Sequence, residues 1–231
     1  PVVVGVLSGG KLLATAERLD KAADGALSRA IDASRFKGES GQSLTVMAPA
    51  GVGASRVVLM GLGEAERFDD LAAQAFGGRA YKAVAGTGDK SAVIAIDPVS
   101  GAKIKTSGVS ANAAYGALLA SYRFDKYRTK EKADAKPSIK TLILSSRDSA
   151  DAKKAFAPLA KIADGVFFTR DLVSEPANIL YPVTLAAQAK TLEKLGVKIQ
   201  VLDEKQMAKL GMGALLGVAQ GSAQKPRLVV M

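Results

Sequence analysis

The feature that most constrains the fold of this chain is the alternation of short apolar runs with helix-periodic segments over its first half. The apolar runs have the length and composition of strands: PVVVGVL, SLTVMAP, SRVVLMGLG, SAVIAIDP and IKTLILSS. Between them, three segments place apolar residues at helical spacing: RLDKAADGALSRAIDASRF, FDDLAAQAFGGRAYKAV and SANAAYGALLASYRF. This alternation predicts an α/β domain over residues 1–148, with a largely parallel or mixed sheet.

A long helical segment and two prolines follow this domain. The segment DAKKAFAPLAKIADGVFFTRDLVSE carries an apolar stripe and predicts a linking helix over residues 149–176. Pro158 is expected either to begin this helix or to bend it near its start. Pro176 disfavours helical backbone in the residue before it, and Pro182 stands where the first turn of a new helix belongs.

Residues 177–231 therefore predict the first units of a second α/β domain. VKIQVL alternates as a strand, Asp203 can cap a short helix, and RLVVM forms a closing strand. We expect that closing strand to lack a partner, and about 55 residues to bury too little surface for a complete domain. On this interpretation the sequence is part of a longer protein.

Composition narrows the possible chemistry. With 48% apolar and 23% charged residues, the chain can bury a core. It contains no His and no Cys, so His-based triads, His-ligated zinc sites, disulfides and thiolate nucleophiles are excluded within these residues. No apolar run is long enough to cross a bilayer, and PVVVGVLSGG lacks the features of a signal peptide, so we expect a cytoplasmic protein.

Candidate site residues are few, and each has a structural interpretation. The glycine turns GVGAS and GLGEA match neither dinucleotide-binding nor P-loop patterns. Asp69 and Asp70 are suited to the start of a helix, where the helix dipole favours negative charge. Asp203 and Glu204 are adjacent in a predicted helix, so their side chains point in different directions and do not converge on one metal ion. We therefore predict no catalytic, cofactor-binding or metal-ligating residue within residues 1–231.

The charge of the chain leaves a nucleic-acid alternative open. Its net charge is +10, but Lys and Arg are spread over almost every segment. The most charged stretch, DKYRTKEKADAKPS from Asp125 to Ser138, predicts a solvated hairpin or loop. Phosphate or DNA binding is the alternative for this region. The residues that would carry it are Arg123, Lys126, Arg128, Lys130 and Lys132.

Several motifs resemble one enzyme family. TRDLVSEPANILYP, followed by EKLGVKIQVLDEKQMAKLGMGALLGVAQGSAQKPRLVVM, is similar to the leucyl aminopeptidases (cytosol aminopeptidases) at nearly every position from Arg170 to Val230. The earlier part agrees more loosely, through LD at Leu19, FKGESGQ from Phe36, RVVLMGLG from Arg56 and SYRFDKY from Ser121.

The resemblance implies a macro-like N-terminal α/β domain, a linking helix and an α/β catalytic domain with two divalent cations, Mn or Zn. Such enzymes remove N-terminal residues from peptides, leucine preferred, with a metal-activated water, a lysine and an arginine that holds bicarbonate. They form homohexamers, and some relatives also bind DNA. An ADP-ribose pocket is a further possibility that rests on fold analogy alone.

One departure from the family pattern limits what can be transferred. The family's metal and catalytic segments, lysine–glycine–FDSGG and NTDAEGR, do not occur in the sequence and would lie beyond Met231. We therefore expect the 231 residues alone to hold no metal site and to lack aminopeptidase activity.

Overall fold

The computed structural model describes residues 1–231 and divides them into two compact units, Pro1–Phe167 and Phe168–Met231. The first unit is built on a six-stranded sheet of order β3-β4-β1-β5-β6, with β2 paired to β1. Its strands are β1 (Val2–Leu7), β2 (Lys11–Leu12), β3 (Ser43–Met47), β4 (Arg56–Gly63), β5 (Ser91–Ala95) and β6 (Thr141–Ser145). Strands β1, β4, β5 and β6 are parallel, whereas β2 and β3 are antiparallel to their neighbours. The predicted mixed α/β sheet is confirmed.

Five helices accompany this sheet: α1 (Ala14–Ala22), α2 (Ala26–Asp32), α3 (Asp70–Ala85), α4 (Thr106–Ser121) and α5 (Ser149–Ser174). The sequence predicted one helix with a weak point at Gly25, and the chain instead forms two helices, α1 and α2, that are separated at this glycine. Asp24 (φ 51°) and Gly25 (φ 77°) both adopt left-handed backbone, which ends the first helix. The Asp20 carboxylate then accepts hydrogen bonds from the first amides of α2, Leu27 N (2.8 Å) and Ser28 N (3.0 Å).

Strand alternation sends successive side chains to two different core clusters. Val3 and Met60 lie in the cluster that also contains Phe76 of α3 and Val109 of α4. Val4, Val6 and Leu59 point the other way, into a cluster with Leu27 and Ile31 of α2. Helices therefore cover both faces of the central strands, whereas the edge strand β6 leaves Ile143 half exposed.

Helices α3 and α4 pack with their backbones almost touching. A Cβ atom added at Gly77 would lie 1.9 Å from the carbonyl oxygen of Ala113. The interface also contains the buried Asn112 amide, which donates to Asp70 Oδ1 (2.7 Å) and accepts from Gln74 Nε2 (2.8 Å). Glycine permits the approach, and the satisfied amide fixes the register of the two helices.

The long helix α5 begins at Ser149 and ends at Ser174. Pro158 lies inside it and does not begin it, which corrects one of the two predicted alternatives. Tyr122 and Phe167 bring their rings to 5.3 Å, so this helix also packs against the chain that follows α4.

The second unit contains the end of α5 and five short elements: α6 (Pro182–Lys190), β7 (Gln200–Leu202), α7 (Glu204–Lys209), α8 (Gly213–Ala219) and β8 (Leu228–Val230). Asp203 caps α7 as predicted, because its side chain accepts from Gln206 N at 2.9 Å. The closing strand is not unpartnered, so that prediction is wrong: β8 pairs antiparallel with β7, with Val201 opposite Val229. Five of the six residues in these two strands are apolar, and cross-strand pairs such as Val201 and Val229 stabilise the ribbon.

This second unit nevertheless has a small core. Its buried apolar side chains are Ala186, Leu202 and Met207. Large apolar side chains stand exposed, among them Val218 (89%) and Leu195 (78%). The second unit therefore has a substantial exposed apolar surface.

Candidate functional site

The family-like motif at the junction forms a helix end followed by a tight turn. Arg170 and Asp171 lie in the last turns of α5, and the EPAN residues follow the end of that helix. The carbonyl oxygen of Pro176 accepts from Ile179 N and Leu180 N, each at 2.9 Å. Pro182 then takes the first position of α6, as predicted. These residues direct the chain from one helix into the next and form no catalytic constellation.

The basic segment is a loop with turns and one short 3-10 helix, not a hairpin. At its centre is the Glu131 carboxylate, which lies 2.6 Å from Arg123 Nη2 and 3.8 Å from Arg128 Nη1. Hydrogen bonds with Glu131 raise the pKa of the Arg123 guanidinium. Lys126 lies over the ring of Tyr127, 5.3 Å from its centroid.

The predicted phosphate-binding residues are therefore only partly available for a phosphate group. Arg123 and Arg128 share one internal carboxylate, whereas Lys130 and Lys132 are exposed. Internal neutralisation lowers the number of phosphate contacts that a segment can make. Nucleic-acid binding by this loop stays a prediction.

Glycines of the two predicted turns pack against the protein's own backbone. A Cβ at Gly51 would lie 2.0 Å from Ala22 O, and one at Gly61 would lie 2.0 Å from Glu39 O. Because the chain itself fills the space beside Gly51 and Gly61, these two glycines form no cradle for phosphate or ADP-ribose. The prediction of a turn at GLGEA is wrong, because Gly61 and Gly63 lie within β4.

The candidate carboxylates are also engaged in structural contacts. Asp69 caps α3 by accepting from Ala72 N at 2.9 Å, and Asp70 accepts from Asn112. Glu204 lies 3.3 Å from Lys225 Nζ and 2.9 Å from Arg227 Nη1. Burial acts to raise the pKa of Glu204, but hydrogen bonds from its own backbone amide and from these two cations outweigh it and lower the pKa.

The carboxyl ends of the parallel strands are where α/β proteins usually bind ligands. Here Asp97, just beyond β5, accepts from Thr15 N (2.9 Å) and Thr15 Oγ1 (2.8 Å) at the start of α1. The cavity beside it measures only about 10 Å³. The centre of this edge is closed by the protein itself.

A two-metal centre does not fit the residues present. No group of three or more Asp, Glu, His or Cys side chains stands close enough to hold a metal ion. The acidic pairs that the sequence offers are adjacent in the chain and already bound to amides or cations. We therefore assign no catalytic step to residues 1–231.

None of the helices combines the length and apolar character that a bilayer-spanning segment needs.

Two family models match the chain, in order. The first, described as the cytosol aminopeptidase family N-terminal domain, covers residues 3–131, and the second, the catalytic domain of the same family, covers residues 167–231. A probable cytosol aminopeptidase from Caulobacter vibrioides is 46% identical over 223 residues, which are 96% of this chain and 44% of that protein. Another from Chelativorans sp. is 43% identical over 231 residues, all of this chain and 46% of that protein.

Solved structures show the same fold. A tomato leucine aminopeptidase mutant superposes with a TM-score of 0.82 at 25% identity, over 99% of this chain and 46% of that one. A bottromycin maturation enzyme in complex with Mn superposes with a TM-score of 0.72 at 22% identity, over 99% of this chain and 44% of that one. The chain thus spans somewhat less than half the length of the proteins it matches. The agreement of both domain models with the curated relatives places this chain in the cytosol aminopeptidase family.

Proposed function

We propose that the chain forms the scaffold of a metal-dependent aminopeptidase. Residues 1–148 would be its macro-like N-terminal domain, 149–176 its linking helix and 177–231 the first units of its catalytic domain. The observation that carries the proposal is the ordered match of an N-terminal and a catalytic family model to one chain whose relatives are named probable cytosol aminopeptidases. The substrates would be peptides, with leucine preferred at the N-terminus.

The metal centre would lie outside residues 1–231. Two divalent cations, Mn or Zn, would supply a Lewis acid and an activated water when bound. Support comes from the structural engagement of the carboxylates in this chain, and from a fold neighbour described in complex with Mn. The role of residues 1–231 would be to supply the first units of the catalytic domain and the helix to which they are joined.

The exposed apolar surface of the second unit supports this division of labour. Leu195, Leu210 and Val218 are 78%, 61% and 89% exposed. Burial of each of these side chains would stabilise the folded protein. A catalytic domain that continued the β7–β8 ribbon and covered α8 would bury them. The complete enzyme would act in the cytoplasm as a homohexamer, by analogy with the family.

An activity comparison tests the proposal. The purified 231-residue polypeptide, assayed with leucine p-nitroanilide and added Mn²⁺ or Zn²⁺, should release no p-nitroaniline. A chimera that continues after Met231 with the remaining sequence of the Caulobacter relative should be active, and the relative itself is the positive control. Hydrolysis by the 231 residues alone, or a folded chimera without activity, would contradict the proposal.

A further inference from the structure

A groove with no counterpart in the proposed aminopeptidase function runs between α4, β6 and α5 in the first unit. Its larger part has a volume of about 440 Å³, and a second part of about 140 Å³ adjoins it. Ala114, Leu144 and Phe156 line both parts, so the two lie side by side. We call it the α4–α5 groove. Its size falls within the range of small-molecule sites.

The larger part of the groove is mainly apolar. Its apolar walls are formed by Ala114, Ala117, Leu118, Ile139, Leu142, Leu144 and Phe156. The groove follows α4 from Ser110 to Ser121, a rise of roughly 16 Å. An elongated apolar body fits this shape better than a compact one.

The smaller part of the groove also has a mostly apolar surface, but four of its lining residues are polar. Ser110 is only 4% exposed, and its Oγ atom is buried without a hydrogen-bond partner. Ser146, Ser149 and Lys153 line the same part. A buried hydroxyl without a partner is unfavourable, so a polar group that reached this atom from the groove would be favoured.

The charged side chains around the groove determine which kind of ligand head group it favours. Lys153 lies at this end and Lys140 lines the larger part, and no acidic side chain lines either. The nearest acidic neighbours in sequence, Asp148 and Asp151, are exposed, and Asp151 lies 3.9 Å from Lys154 Nζ. The N-terminal turn of α5 adds its positive dipole end at Ser149. An anionic group is therefore favoured over a neutral or cationic one.

We propose that the α4–α5 groove binds a small amphipathic carboxylate. Its head group contacts Ser110 and Lys153, and its apolar chain lies along Leu144, Phe156 and Leu118. This site is independent of peptide hydrolysis and is complete within residues 1–167.

Titration of the 231-residue protein with decanoate, kept below its micelle concentration, tests the proposal by calorimetry. Decanol and decyltrimethylammonium are the neutral and cationic probes of equal chain length. We expect saturable decanoate binding at one site, and at least about tenfold weaker binding of the other two. Ser110→Ala and Lys153→Ser should each weaken decanoate binding about five- to tenfold.

A neighbouring residue provides the matched control. Lys154→Ser removes the adjacent charge, which lies outside the groove, and should leave the affinity within about twofold. Ser110→Ala removes an unsatisfied buried hydroxyl, so it should fold as well as the wild type, and a thermal melt checks this. No saturable binding, equal binding of decanol and decanoate, or equal losses for the Lys153 and Lys154 variants would overturn the proposal.

Discussion

Gly77 offers the sharpest test of the packing between α3 and α4. In Gly77→Ala the new methyl group would lie 1.9 Å from Ala113 O, 2.5 Å from its carbonyl carbon and 2.6 Å from its Cα. All three are backbone atoms, so no side-chain rotation relieves the clash. Ordinary contact requires a separation near 3.4 Å, and the helices must therefore part by about 1.5 Å. That movement opens the cluster that holds Phe76 and Val109.

The expected cost follows from two opposing terms. Overpacking of this severity costs about 3–4 kcal/mol, at the upper end of measured values. Replacing a helical glycine by alanine returns about 1 kcal/mol of helix propensity. The net loss of about 2–3 kcal/mol corresponds to a fall in Tm of roughly 4–12 °C for a chain of this size.

Gly165→Ala is the matched control, because it places the same methyl group inside the helix α5. A Cβ there would have no neighbouring atom within 4 Å, so only the propensity term remains. Its Tm should rise by roughly 2–4 °C. Chemical and thermal denaturation followed by circular dichroism measures both variants. If Gly77→Ala is as stable as the wild type, or shifts in the same direction as Gly165→Ala, the close approach of α3 and α4 is refuted.

Two further substitutions probe polar groups in the first unit. The pKa of Asp20 is lowered overall. Burial acts to raise it, but hydrogen bonds from the Ser28 hydroxyl and from two backbone amides outweigh that effect. The stability this gives is present above the ordinary carboxyl pKa near 4 and is lost as pH falls through the lowered folded value. Asp20→Asn should therefore lower the free energy of unfolding by about 1 kcal/mol at pH 7 and by progressively less below pH 4. A difference between variant and wild type that stays constant with pH would contradict this role of Asp20. Burial lowers the pKa of Arg79, and its Nε atom has no hydrogen-bond partner. Arg79→Met should therefore raise Tm. A lower Tm would indicate a contact that the structure does not show.

The sequence predicted most elements of the first unit because their signals are local. Apolar runs locate β1, β4, β5 and β6, and periodicity locates α3, α4 and α5. The break between α1 and α2 was indicated only as a weak point at Gly25, because Asp24 takes a left-handed conformation that its own identity does not demand. The two-residue strand β2 is too short for any period to register.

Long-range arrangements were harder to predict. The partner of β8 lies some 28 residues earlier, at β7, and nothing in RLVVM specifies that pairing. The absence of His and Cys narrowed the candidate chemistry, and family motifs supplied the remaining functional prediction. The α4–α5 groove had no sequence signal, because Ser110 stands in an Ala-rich helix and becomes notable only when its hydroxyl is found buried without a partner.

We propose that these residues build the scaffold of an aminopeptidase without its metal centre. The number of Mn²⁺ ions bound per chain, titrated by electron paramagnetic resonance, tests it most directly. We expect no tight site in the 231-residue polypeptide and two in the chimera with the Caulobacter catalytic segment. A stoichiometric Mn²⁺ site in residues 1–231 alone would contradict the claim.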